Sequence, residues 1–160
     1  MSLAVEYVGC AEGVASDSRG ALTIVGFHPH VFALETLPGP LAPTFILILE
    51  DNEDPAPVLV AGQSVVVRLE VHDPDGQTLF LTEMAQPIQA RPPVPAPPRM
   101  QVIAQIPLMI PKAGEYRFVA TVTLIDAGVS PTVASYVVRV VDAEALRSAM
   151  RSAAEAGLRT

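Results

Sequence analysis

The sequence contains few aromatic residues, no tryptophan and a single cysteine. Aromatics are 5% of its 160 residues although hydrophobic residues are 50%. The apolar content is therefore mainly aliphatic and rich in valine, which favours β-strands. With Cys10 alone, no intramolecular disulfide can form. Because disulfides are rare in reducing compartments, we expect a cytoplasmic protein.

Basic clusters and long apolar runs are also missing. The formal net charge is −7 at pH 7 and the pI is about 4.8. Phosphate backbones and anionic lipids attract grouped Lys and Arg, so we expect neither nucleic acid nor a membrane as a partner. The first ten residues have no basic region, and the apolar runs are shorter than a bilayer. The sequence therefore predicts no signal peptide and no membrane span.

Sequence signatures of catalysis are missing as well. No nucleophile elbow, phosphate-binding loop or dinucleotide fingerprint occurs in the chain, and each of these is a visible local pattern. Cys10 lies in an apolar stretch with no nearby histidine or helix start to lower its pKa, so we predict a core residue. We expect a protein that is not an enzyme and that holds no cofactor and no stoichiometric transition metal.

The clearest pattern present is the stretch 64–83, SVVVRLEVHDPDGQTLFLTE. Val67 and Leu69 alternate with charged residues, which is the period of a half-buried strand. Residues 73–76, Asp-Pro-Asp-Gly, have the chemistry of a tight turn. The stretch predicts an antiparallel hairpin with Val67 and Leu69 facing the core.

Other strands are predicted where apolar runs lie between proline- and glycine-rich turns. The run 44–49 is unbroken and predicts a strand buried on both faces. The remaining predicted strands are 3–12, 21–27 (which can continue to residue 34), a short edge piece at 58–60, 100–106, 114–125 and 133–141. Asp142 is a predicted N-cap for an alanine-rich helix that stops near Gly157. The fold expected is an antiparallel β-sandwich, immunoglobulin-like or C2-like, over residues 1–141, with a C-terminal helical tail over 142–160.

Two segments carry a family resemblance. Residues 12–27, EGVASDSRGALTIVGF, and 111–116, PKAGEY, resemble a family of small bacterial proteins of unknown function. The second segment is also similar to many immunoglobulin-like bacterial modules. The resemblance covers residues 5–141, and its shared positions are turn and core residues. It therefore implies a β-sandwich without a set of catalytic residues. The acidic loop at 50–54, the proline tract at 91–99 and the terminal helix depart from the family pattern.

The terminal helix is one candidate interaction site. Leu146, Met150 and Leu158 form a narrow apolar stripe, and Arg147, Arg151 and Arg159 form a basic side. Such a stripe either docks on the helix's own sandwich or pairs with a protein partner or another copy. The arginines suit an acidic neighbour or another copy's acidic loop at 50–54.

The proline tract 91–99, RPPVPAPPR, is a second candidate. Pro92, Pro95 and Pro98 have the PxxP spacing that aromatic grooves recognise in polyproline II ligands. The alternative is a stiff surface loop between two strands, and neither arginine has the spacing usual for such ligands.

Two groups of residues suggest metal sites. His28, His30 and Glu35 have the H-x-H-x4-E spacing that resembles the first metal motif of cupins, but the second element of that motif is missing. The acidic loop 50–54, with Asp73 and Asp75, has the oxygen ligands that calcium prefers between the loops of a C2-like sandwich. A protein-interaction or structural module is the predicted function, and a calcium- or metal-binding module is the alternative.

Overall fold

Apolar alternation and turn chemistry divide the chain into short strands followed by a helix. The computed structural model describes residues 3–16, 22–27, 30–52, 57–88, 98–125 and 128–157. Within these ranges there are eleven strands and one helix: β1 Leu3–Ser16, β2 Leu22–Phe27, β3 Val31–Leu34, β4 Gly39–Leu41, β5 Thr44–Asp51, β6 Ser64–His72, β7 Thr78–Pro87, β8 Arg99–Gln105, β9 Leu108–Ile110, β10 Gly114–Leu124, β11 Thr132–Asp142 and α1 Ala143–Gly157.

The strands form two larger sheets that face each other across one hydrophobic core. One sheet has the order β2-β1-β5-β8 and the other β3-β11-β10-β6-β7, while β4 and β9 pair separately. Strand β1 packs against β11. Phe45 of β5 stacks on Phe118 of β10 with ring centroids 6.3 Å apart. The mainly β, sandwich-like architecture agrees with the prediction.

The antiparallel prediction needs one correction, because β3 runs parallel to β11. The idea that the second strand continues to residue 34 is also wrong, since β2 and β3 belong to different sheets. Gly26 has a φ of 62°, outside the β region, and Pro29 has no N–H to offer a ladder. Regular pairing therefore stops between these two residues, and the chain changes sheets.

The central hairpin is confirmed. The inward residues of β6 are at most 1% exposed: Val65, Val67, Leu69 and Val71. Asp73 Oδ1 accepts the backbone N–H groups of Asp75 at 2.9 Å and Gln77 at 2.8 Å. Gly76 supplies the positive φ, 80°, that the turn requires. Turn formation therefore accounts for Asp73.

Strand β5 is buried on both faces as predicted, with Phe45, Ile46 and Leu47 each 0% exposed. The short edge strand predicted at 58–60 is wrong. Val58 and Leu59 are buried outside any strand. Their N–H groups donate to the side chain of Asp51, so they need no ladder partner.

The start of β10 is fixed by contacts between two turns. The Tyr116 side chain is 1% exposed, and its hydroxyl donates to the Lys112 carbonyl at 2.7 Å. Gly114 lies against Pro74 of the hairpin turn, where a Cβ would sit 2.4 Å from the proline Cγ. A larger residue at position 114 would therefore push the two turns apart.

We expect Tyr116→Phe to lower the free energy of unfolding by about 1 kcal/mol, because the ring stays but the Lys112 carbonyl loses its donor. Tyr136 offers a matched control, since its buried hydroxyl has no hydrogen-bond partner among the described residues. Tyr136→Phe should be neutral or slightly stabilising. Urea denaturation of both variants measures the difference, and an equal loss in both would contradict the role given to the Tyr116 hydroxyl.

Candidate functional site: the terminal helix and the predicted site residues

Helix α1 follows β11 directly and is capped as predicted. Asp142 Oδ1 accepts the backbone N–H of Ala145 at 2.8 Å. Ala143 is 6% exposed, and the helix contacts β3 and β11. Within the described ranges, no helix is long and apolar enough to cross a membrane. The helix is thus joined to the sandwich through its first turn.

The following residues of α1, 144–154, are all exposed. Leu146 is 40% exposed and Met150 is 64% exposed. Together with Ala149 and Ala153 they have the spacing i, i+3, i+4, i+7, which places the four on one side of the helix. This set is the α1 apolar face. The helix therefore presents Leu146 and Met150 on one open surface, and Leu158, the third large apolar residue of the predicted stripe, lies outside the described residues.

The two predicted arginines have different surroundings. Arg147 forms a hydrogen-bonded salt bridge with Glu35, which follows β3. That bond, with the negative charges of Glu35, Glu144 and Asp142, raises the pKa of the Arg147 guanidinium. Arg151 forms no salt bridge with the described residues. Of the two, Arg151 is the one open to a partner.

Of the three predicted prolines, Pro92 and Pro95 lie outside the described residues. Pro98 is described, and its carbonyl accepts the backbone N–H of Asp51 at 2.9 Å. This bond extends the β5–β8 ladder by one step. The sheet therefore positions Pro98, and the PxxP hypothesis stays a prediction.

The histidine motif is not brought together by the described residues. His28 lies outside them. The ring of His30 stacks on Tyr136 with centroids 5.8 Å apart, and Glu35 binds Arg147. The two described members of the motif thus contact different neighbours.

The acidic residues proposed for calcium lie at opposite ends of the sandwich. The start of β5 lies level with the hairpin turn, because Phe45 stacks on Phe118 and Phe118 pairs with Val71, close to the turn. Asp51 is at the far end of β5, about 20 Å along the strand from that level. At the hairpin, Asp75 binds Lys112 and raises the pKa of its amino group. Glu53 and Asp54 of the acidic loop lie outside the described residues.

Across the described part of the chain, no three His, Cys, Asp or Glu side chains are grouped so that they could hold one metal ion. A hard cation such as calcium needs several oxygens that converge on one point. The separation of the acidic groups provides no such point among the described residues.

Asp51 has a structural role that the sequence did not reveal. Its side chain is 0% exposed, and Oδ2 accepts the backbone N–H groups of Val58 at 2.6 Å and Leu59 at 2.7 Å. The neighbouring Glu50 forms a salt bridge with Arg99 at 3.0 Å. The start of the acidic loop therefore holds the chain that follows β5 against the core.

Cys10 is a core residue, as predicted. It is 0% exposed, and burial raises the pKa of its thiol to about 12. Burial, followed by the proximity of Cys10, also raises the pKa of the Tyr7 and Tyr136 hydroxyls. A thiol that is enclosed and protonated at neutral pH is a poor nucleophile.

No family model matches the chain, and no curated protein matches its sequence. The resemblance to a bacterial family therefore stays a prediction. Function has to be inferred from the surfaces that the described residues present.

Proposed function

We propose that the protein is a non-catalytic interaction module of the cytoplasm and that the α1 apolar face is its docking surface. The observation that carries the proposal is the exposure of Leu146, 40%, and Met150, 64%. A short helix is marginal in water unless one face packs on something. A partner that covers this face would supply the burial that the sandwich does not provide.

The spacing of the face suits an apolar groove on a partner protein. Amphipathic helices that bind grooves use anchors at i, i+3, i+4 and i+7, and residues 146, 149, 150 and 153 have this spacing. With about 3.6 residues per turn, Arg151 lies on the far side of the helix from this face, so the apolar residues alone define the groove that fits it.

We further propose that the sandwich is immunoglobulin-like rather than C2-like. The neighbours β6, β10 and β11 follow the C-F-G order of that fold. The Tyr116 hydroxyl bond to the Lys112 carbonyl has the position of its tyrosine corner. In immunoglobulin domains, a cysteine two residues after this tyrosine forms a disulfide with a cysteine of strand B. The residue at that position in this chain is Phe118, which stacks on Phe45 of β5. A phenylalanine pair in place of that disulfide suits a reducing cytoplasm.

The docking proposal can be tested in the full chain with the double variant Leu146→Gln and Met150→Gln. Glutamine keeps helix propensity close to that of leucine and methionine while it removes the apolar surface. The matched control is Ser148→Gln and Ser152→Gln on the opposite, exposed side. A protein captured from the native cell by the wild-type chain would be purified and titrated against all three forms. We expect affinity to fall by at least about tenfold for the first variant, equivalent to about 1.4 kcal/mol, and to stay unchanged for the control.

Two results would contradict the proposal. Equal affinity of the two variants for the purified partner would show that the α1 apolar face is not the docking surface. A clear fall in the unfolding midpoint of the Leu146→Gln and Met150→Gln form alone would show that the face packs on its own sandwich. Sedimentation equilibrium tests whether a second copy of the chain covers the face. A dimer that is lost only in the Leu146→Gln and Met150→Gln form would assign the face to a second copy.

A further inference from the structure

We propose a ligand site on the outer face of the five-stranded sheet that takes a small apolar molecule carrying one carboxylate. A concavity of about 700 Å³ lies on this face beside the turn of the central hairpin. Binding sites for small molecules have volumes of this order. Residues of β6, β10, β11 and the hairpin turn line the concavity, so the site is separate from the α1 apolar face.

The strand register brings a guanidinium and an imidazole together on this face. Arg117 of β10 pairs with His72 of β6 and with Val137 of β11. Side chains at directly paired positions have Cβ atoms about 5 Å apart. Residues two apart on a strand share a face, so Glu115 and Val119 lie on the same side as Arg117. All five residues line the concavity.

The acids around Arg117 have other partners. Glu115 forms a salt bridge with Arg139 at 3.0 Å, and Asp73 accepts two backbone N–H groups of the hairpin turn. Arg117 is exposed, and it forms no salt bridge with the part of the chain that the structure describes. Its guanidinium is therefore available to a carboxylate, which an arginine can hold through two parallel N–H···O bonds.

His72 provides a second group for the same carboxylate. Its Nδ1 lies 3.3 Å from the hydroxyl oxygen of Thr78, so Nε2 is the ring nitrogen left for a ligand. Like charges at directly paired positions destabilise a sheet, so stability alone does not favour an arginine opposite a histidine. A carboxylate bound between the two side chains would offset this repulsion when the imidazole is protonated.

Apolar side chains form the rest of the surface that a ligand would cover. Val137 is 38% exposed, Val119 is half-buried, and Pro74 of the turn also lines the concavity. A hydrocarbon group placed on them would remove apolar surface from water, which favours binding. The ligand therefore needs a short aliphatic chain or an aromatic ring attached to its carboxylate.

The wall formed by the hairpin turn is held in place by contacts within the protein. Pro74 lies against Gly114, and Asp75 accepts a hydrogen bond from the Lys112 amino group. These contacts join the turn to the start of β10. A site that is already formed loses less conformational entropy when a ligand binds.

The acidic neighbours favour a ligand with one negative charge over a phosphate. Asp73 and Glu115 also line the concavity, and two negative charges on a phosphate would meet them at short range. A monocarboxylate brings one charge, which Arg117 can balance. The net charge of −7 also disfavours polyanions.

The test uses phenylacetate as the probe and phenylacetamide as the matched ligand that keeps the ring but has no charge. Each is titrated into the isotope-labelled full-length protein, and the backbone amide shifts are followed by NMR. About 0.15 M salt screens the long-range attraction of the anion. We expect saturable shifts at the amides of Arg117, Val119 and Val137 with phenylacetate, and at least about tenfold weaker binding of phenylacetamide.

Arg117→Gln removes the guanidinium from an exposed side chain, so affinity for phenylacetate should fall by at least about tenfold. Arg151→Gln is the matched control, because it removes the same charge from α1, outside the concavity, and it should bind phenylacetate within about twofold of the wild type. No saturable shifts at the three amides, equal binding of phenylacetate and phenylacetamide, or an equal loss in the two variants would overturn the proposal.

Discussion

Leu69→Ala should lower the free energy of unfolding by about 2–5 kcal/mol. Leu69 lies in the middle of β6, is 1% exposed and belongs to the core cluster between the two sheets. Its removal loses the transfer free energy of the deleted atoms. It also leaves a cavity that neighbours on two sheets cannot close without breaking ladder bonds. The loss is a large fraction of the stability of a domain of this size.

The next residue in the chain is the control. Glu70 is on the outer face of β6, where it pairs with Arg68 at 2.9 Å. Exposed pairs of this kind contribute little, so Glu70→Ala should cost under about 0.5 kcal/mol. Urea denaturation of both variants gives the comparison. Equal midpoints would mean that the inward and outward sides of β6 are assigned the wrong way round.

Local patterns were enough for the elements that depend on local chemistry. The alternation in β6 and β10 reflects one buried face, and the Asp-Pro-Asp-Gly turn provides its own hydrogen bonds through Asp73. The double-sided burial of β5 could be predicted because its apolar run is unbroken. The cap at Asp142 is another local signal. For the turn and the cap, the determining contacts lie within a few residues of one another.

The errors share a different physical origin. Nothing near Val31 predicts that β3 pairs in parallel with β11, since that ladder joins residues more than a hundred positions apart. Residues 39–41 contain a glycine and a proline, and nothing in their sequence predicts that they pair with β9. Val58 and Leu59 read as a strand because they are apolar. Their backbone groups are instead bonded to a side chain from a different segment.

The candidate site was predictable in part for the same reason. Helicity and the apolar stripe of α1 follow from its sequence, so Leu146 and Met150 could be named. The pairing of Arg147 with Glu35 depends on where the helix leaves the sandwich, and no local pattern reports that.

Asp51→Ala should lower the free energy of unfolding by about 3–5 kcal/mol, because two buried N–H groups lose a charged acceptor. The carboxylate is 0% exposed and accepts both bonds through one oxygen, from Val58 and Leu59. Alanine leaves both donors without a partner and a space where the carboxylate was. Asp51→Asn, which can keep one oxygen acceptor, should lose less than Asp51→Ala.

Glu50→Ala is the matched control, since Glu50 is the adjacent acid and its salt bridge with Arg99 is on the surface. That change should cost under about 1 kcal/mol. Denaturation midpoints with and without added calcium distinguish two roles for Asp51. If the carboxylate acts as a hydrogen-bond acceptor and not as a cation ligand, calcium leaves every midpoint unchanged and Asp51→Ala stays far below Glu50→Ala. If calcium raises the wild-type midpoint and the rise disappears in Asp51→Ala, the carboxylate is a cation ligand, and the calcium-binding alternative replaces the structural role given to it here.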